Sequence, residues 1–278
     1  MNSTLDTIAP LLTALSSLEV ERGLALMKEA ASPAIYEKLM KGLMLPQAQE
    51  RWTLHSFHLS PCLACETDDQ KAAARLTVMR ATMEAEVSSP ALDAYRSALR
   101  SIKKLVLHMP PLCQDVSALR CLPQLESLLL EGRAVIDFGF LSSLERLQAL
   151  ELHRCDFLTD LEPVVWNTNL QSLKLWHCDN LQEIEALSKL PNLAELRLDY
   201  CPVMQGYKVI GSLTHLREFN IDLVRGAEEP FPYDLTWVAM LGVEDPENRF
   251  SGKKVSSLWC RRLESDNPNN PEPSESQI

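Results

Sequence analysis

The amino-acid sequence predicts an α/β solenoid, a stack of about six 22–23-residue units with a parallel sheet on the concave side, preceded by an α-helical region. Three observations predict it. A six-residue aliphatic pattern recurs at near-constant intervals between residues 102 and 224. Helix caps and prolines recur through residues 1–100 and are followed by apolar residues at helical spacing. The chain has 278 residues, 46% hydrophobic and 23% charged, which is enough to bury a substantial core.

The helical region comes first. Ser16-Ser17-Leu18-Glu19 has the S-x-x-E form of a capping box, and Leu24, Met27 and Ala31 follow on one face. Ser32-Pro33 and Ser89-Pro90 each place a capping hydroxyl before a proline suited to the first helical position. Thr67-Asp68-Asp69-Gln70 offers another box before Leu76, Met79 and Met83. The recurrence of caps and breakers predicts four or five short helices over 1–100. Arg51 to Cys65 has no clear period and reads as a loop.

The repeat is the most specific signal. Ile102-Lys-Lys-Leu105-Val-Leu107 aligns with Leu125-Glu-Ser-Leu128-Leu-Leu130 and Leu147-Gln-Ala-Leu150-Glu-Leu152. Leu170-Gln-Ser-Leu173-Lys-Leu175, Leu193-Ala-Glu-Leu196-Arg-Leu198 and Leu216-Arg-Glu-Phe219-Asn-Ile221 continue it, with steps of 23, 22, 23, 23 and 23 residues. Each L-x-L is a short strand whose two leucines point into the solenoid, because strand side chains alternate. Leu119/Leu122, Leu141/Leu144, Leu161/Val164 and Leu187/Leu190 are placed to meet them from the convex side. One unit cannot bury its own apolar side, so stability comes from neighbour-to-neighbour stacking. Each leucine so buried contributes roughly 1.5–3 kcal/mol.

These residues resemble the leucine-rich-repeat family. Leu147-Gln-Ala-Leu150-Glu-Leu152-His-Arg-Cys155-Asp-Phe-Leu158 follows the family pattern L-x-x-L-x-L-x-x-[NC]-x-x-L, and Cys178 and Cys201 fill the Asn/Cys position in the next two units. Pro110, Arg133 and Val224 stand there in the remaining ones. The Leu18-to-Leu43 segment is similar to the short helical region preceding repeats in some bacterial proteins of this type. The resemblance implies a protein-binding scaffold rather than a reaction. The expected division is a helical N-terminal domain or cap over 1–100, repeats over 101–225, a C-terminal cap over 226–263, and a disordered tail over 264–278. Phe231, Tyr233, Trp237, Leu241 and Trp259 would cover the last repeat.

Composition narrows the function. With 27 Lys+Arg against 38 Asp+Glu, the net charge of −11 opposes nucleic-acid binding and favours a protein partner with a basic surface. Only nine glycines occur, and neither common phosphate-cradle signature is present. Met1 to Ser17 lacks Lys and Arg, and Ile8, Leu11, Leu12, Leu15 and Leu18 are spaced for a helix face, so no secretory signal or membrane association is expected. Eight cysteines in such a chain read as reduced thiols in a cytoplasmic protein.

Candidate chemistry is sparse. His55-x-x-His58-x-x-x-Cys62-x-x-Cys65 holds four zinc-competent side chains, but the three-residue gap between the pairs is tight, so neither metal nor cofactor is expected. Cys155, Cys178 and Cys201 read as small buried groups. No nucleophile, zinc-hydrolase or kinase signature occurs, so no catalytic residue is assigned. The outward columns of the sheet supply the candidate protein-binding residues: His153, Arg154, Lys174, Trp176, His177, Arg197, Asp199, Tyr200 and Asp222. Trp, Tyr and Arg dominate interface hot spots. The competing account of Trp176 has its ring lying on the stems of Lys174 and Arg197. The expected role is an inhibitor, immunity or regulatory protein. The alternative is an adaptor or secreted effector whose helical domain carries a separate activity.

Overall fold

A computed structural model describes residues 2–40, 51–53, 63–201, 207–224 and 257–263. Five α-helices precede the repeats: α1 (Asn2–Leu12), α2 (Ser17–Ala30), α3 (Pro33–Leu39), α4 (Asp68–Glu84) and α5 (Pro90–Arg100). The capping residues are those expected, but only two of the four caps close. At Thr67 the reciprocal box forms, and Ser89 accepts from the Leu92 N–H. Ser16 and Ser32 stand at the N-cap without a side-chain bond. The C-terminal end of α4 is closed from α5: Arg96 donates to the carbonyls of Thr82, Ala85 and Val87, which satisfies orphan acceptors that a helix end leaves.

The repeats form one parallel sheet in strict sequence order, β1-β2-β3-β4-β5-β6-β7-β8. The six expected strands are β2 (Lys104–His108), β3 (Ser127–Glu131), β4 (Ala149–His153), β5 (Ser172–Trp176), β6 (Glu195–Asp199) and β7 (Glu218–Val224). Two more extend the sheet. β1 (Arg51–Thr53) lies in the segment read as a loop, and Trp52 takes the register of Leu105. β8 (Ser257–Leu263) continues beyond β7, with Leu258 beside Phe219 and Cys260 beside Ile221. Cys62, His55 and His58 lie outside the described residues, as do Phe231, Tyr233, Trp237, Leu241 and the 264–278 tail.

Leu150, Leu173 and Leu196 are register partners, as are Leu152, Leu175 and Leu198, and all six are at most 1% exposed. On the convex side each unit makes a short 3₁₀ turn, at Ser117–Cys121, Gly139–Ser143, Glu162–Val164, Glu185–Lys189 and Tyr207–Ser212. The expected convex pairs, Leu119/Leu122 through Leu187/Leu190, are buried. An aspartate opens three of these turns. Asp115, Asp137 and Asp160 each accept, through Oδ1, the N–H two residues on, the turn that short acidic side chains favour.

Asn167 interrupts the convex leucine column. Buried to 1%, it donates to the carbonyls of Leu141 and Leu144 in the preceding unit, while its Oδ1 has no partner. At the start of the array α4 packs on the first 3₁₀ turn. Arg80 of α4 ties Glu21 of α2, Glu84 and Asp115 of the first unit together, at 2.6, 2.9 and 4.0 Å. The helices and repeats share one continuous apolar core.

Candidate functional site

The concave face is built by alternation. With the strand leucines inward, residues before, between and after them face out, and parallel pairing stacks equivalent positions about 4.8 Å apart. Three columns result. Ser172 and Glu195 lie in the first, Glu151, Lys174 and Arg197 in the second, and Glu131, His153, Trp176 and Asp199 in the third. Asp222 lies in β7, beyond Asp199 in the chain order of strands, and it is the register partner of Arg261 in β8.

The residue after each strand completes the site. Arg154, His177 and Tyr200 have φ of 50°, 51° and 53°, the left-handed region that ordinary L-residues occupy at a cost. The N–H groups of Arg154 and His177 donate to the carbonyls of Trp176 and Asp199 on the next strand, at 2.7 and 3.0 Å. The chain then drops a cysteine into the interior. Cys155 and Cys201 donate to the carbonyls of His153 and Asp199, at 3.5 and 3.4 Å.

The three thiols form a row in which Cys178 lies between the other two and turns its own S–H to the Leu152 carbonyl at 3.7 Å. Interaction with the Cys178 sulfur first, and burial second, push the Cys155 and Cys201 thiols well up. The same two neighbours pull Cys178 the other way. All three are fully buried, so the row serves the strand ends rather than solvent chemistry.

The first unit keeps the alignment read from sequence, with Pro110 at the cysteine position, and the second corrects it. The turn bond that runs from Leu158 N–H to the Cys155 carbonyl runs from Val135 to Gly132 and from Cys113 to Pro110 in the earlier units. Gly132, not Arg133, therefore occupies the cysteine position, and the unit of β3 lacks the left-handed residue altogether. This missing residue is the single 22-residue step. A Cβ on Gly132 would lie 2.7 Å from Cγ2 of Val135, so the valine methyl fills the space the thiol holds elsewhere. In the first unit Met109 precedes Pro110 and stays out of the left-handed region, consistent with the restriction proline imposes on its predecessor.

Electrostatics organise the face around carboxylates. Glu195 accepts from Lys174 at 2.8 Å, Ser172 at 2.7 Å and Arg197 at 3.1 Å. Burial alone would raise its pKa, but the bonds from Lys174 and Ser172 outweigh this and lower it. Glu131 accepts from His108 at 2.8 Å and Arg154 at 3.2 Å. The bond from His108 is the main cause of its lowered pKa, against a smaller effect of burial. Glu151 pairs with His153 at 2.7 Å.

The aromatic groups also settle in pairs. The Trp176 ring, 38% exposed, lies 5.8 Å from that of His153. Lys174 turns its ammonium to Glu195 instead of to the indole. His177 and Tyr200 stack at 4.5 Å with their planes 10° apart. Of the nine candidates, the structure thus joins Arg154 to His108 through Glu131, Lys174 to Arg197 through Glu195, His153 to Trp176, and His177 to Tyr200. Asp199 is buried to 8%. The hub Glu195 was absent from the candidates, although continuing the alternation one residue before each strand leucine places it on the same face.

The in-register stack of Leu150, Leu173 and Leu196 on adjacent parallel strands, repeated every 23 residues, decides the architecture. The chain has a leucine-rich-repeat fold. Neither a protein-family model nor a curated protein matches it. Among solved structures it is similar to an internalin, InlF, of Listeria monocytogenes, with 16% identity over 64% of this chain and 53% of that one, at a TM-score of 0.39. An internalin C2 of the same organism is 24% identical over 46% of this chain and 55% of the other, at a TM-score of 0.34. A leucine-rich-repeat protein of Leptospira interrogans is 15% identical over 59% and 62%, at a TM-score of 0.31. The leucine-rich-repeat chain spans about half the length of the two internalins. No described helix is long and apolar enough to cross a membrane, and no cluster of metal-holding side chains occurs among the described residues.

Proposed function

We propose that this leucine-rich-repeat chain is a non-catalytic scaffold that binds another protein through its concave face, as an inhibitor, immunity or regulatory protein. The observation that carries the reading is the run of Arg154, His177 and Tyr200, three non-glycine residues in the left-handed region on consecutive units. Each costs about 1–2 kcal/mol relative to a relaxed backbone. Glycine would remove that strain, so the side chains are retained for what they present. Strained positions of this kind cluster where surfaces are used.

Beside them stands Trp176, and Arg, Tyr and Trp are the anchors that dominate protein interfaces. Eight strands at about 4.8 Å span roughly 34 Å, enough for a patch of standard interface size, about 800 Å² per side. The net charge of −11 draws a basic partner, chiefly by raising its association rate.

The test is co-purification from the native source with identification by mass spectrometry, followed by affinity measurement on the recovered partner. Trp176→Ala and Arg154→Ala are each expected to weaken binding by about 2 kcal/mol, roughly thirtyfold. An affinity unchanged by both substitutions refutes the concave-face assignment. Turnover that survives deletion of 102–224 would instead support an activity in the helical region.

A further inference from the structure

A second surface lies on the opposite side of the solenoid. Between the 3₁₀ turns Gly139–Ser143 and Glu162–Val164 is a cavity of about 410 Å³ with no strand residue in its walls. Ile136, Phe157 and Trp166 line it and are 57%, 55% and 68% exposed, three of the seven large apolar side chains left exposed among the described residues. Exposed apolar groups gathered at one place mark a contact surface, whereas scattered ones need no explanation.

Trp166 stands four residues before Leu170, the position that Ser143 holds before Leu147 and Lys189 before Leu193, and all three are exposed.

We propose that this convex groove docks a short segment of a partner protein in which an arginine or lysine adjoins an aliphatic or aromatic residue. Charge selects the occupant. Asp137 and Asp160 stand in the wall, and no basic side chain lines it. Each aspartate spends Oδ1 on its turn N–H. The second oxygen of Asp137 pairs with Arg120 at 3.5 Å in a side chain that is 71% exposed, and that of Asp160 accepts from Thr159 at 3.2 Å, so each carboxylate has lone-pair capacity left for a further donor. A guanidinium laid over the Trp166 face would gain from the indole and from both carboxylates, with its stem on Phe157. A second copy of this chain, with a net charge of −11, is repelled. Its own 264–278 segment carries Glu and Asp but neither Lys nor Arg.

A phage library of random linear heptapeptides, selected on the full chain, tests this. Enriched peptides are expected to pair a basic residue with an apolar one. Synthetic copies should bind at least tenfold more weakly to Trp166→Ala, and more weakly to the double variant Asp137→Asn/Asp160→Asn, whose amides still accept the turn N–H. Trp176→Ala should leave them unaffected, which separates this groove from the concave face. Unaltered circular dichroism and Tm in Trp166→Ala establish that the fold is kept. Peptides without basic residues, peptides that bind Trp166→Ala as well as wild type, or no enrichment at all would overturn the proposal.

Discussion

Gly132→Ala tests the register of the second unit. The added methyl would stand 2.7 Å from Cγ2 of Val135, 3.5 Å from its Cβ and 3.7 Å from Cδ1 of Leu130. Carbon atoms settle at about 3.5–4.0 Å, so the nearest pair must separate by close to 1 Å. Val135 is fully buried and β-branched, so it has little freedom to rotate away. Crowding of this kind costs about 1–3 kcal/mol.

Equilibrium urea unfolding followed by far-UV circular dichroism measures it. Val135→Ala alone opens a cavity, and in the double variant the methyl added at Gly132 enters that space. The double variant should therefore be more stable than the sum of the single effects by about 1 kcal/mol or more. A Gly132→Ala protein within about 0.3 kcal/mol of wild type, or strict additivity with Val135→Ala, would refute the placement of Gly132 in the cysteine row.

Two other outcomes follow from geometry already described. Leu173→Ala, at a fully buried site between Leu150 and Leu196, should cost about 2–5 kcal/mol in urea unfolding, whereas the neighbouring Trp176→Ala should stay within about 0.5 kcal/mol. The lowered pKa of Glu131 makes it stabilising above the ordinary carboxylate value of 4.5, and this contribution is lost as pH falls through the lower folded-state value. Stability measured from pH 6 downward should therefore decline less steeply in Glu131→Gln than in wild type.

The leucine stack was legible because each unit repeats the same burial, so Leu150, Leu173 and Leu196 stand at one interval in the chain as in space. The ends were not. Trp52 precedes its register partner Leu105 by two intervening helices, and Leu258 follows Phe219 by more than one period, so neither β1 nor β8 falls on the repeat. The shift at Gly132 was hidden for another reason. A missing residue can be placed at any point between Leu130 and Val135 without disturbing the leucine pattern, and only the backbone bond from Val135 to Gly132 locates it.

The concave candidates were found by alternation, but their pairing was not. The reach of a lysine or arginine depends on its rotamer, and Lys174 and Arg197 both converge on a carboxylate in an adjoining column. The exposed Trp166 was absent from the candidates, although the repeat places it four residues before Leu170, where Ser143 and Lys189 stand before Leu147 and Leu193.

The left-handed residue is a supernumerary link hung on the strand end, as the unit that omits it demonstrates. Single-codon insertion or deletion at that link would resize the rim of the hollow while every interior leucine keeps its seat. A lineage could thus reshape that rim without having to re-evolve the framework that displays it.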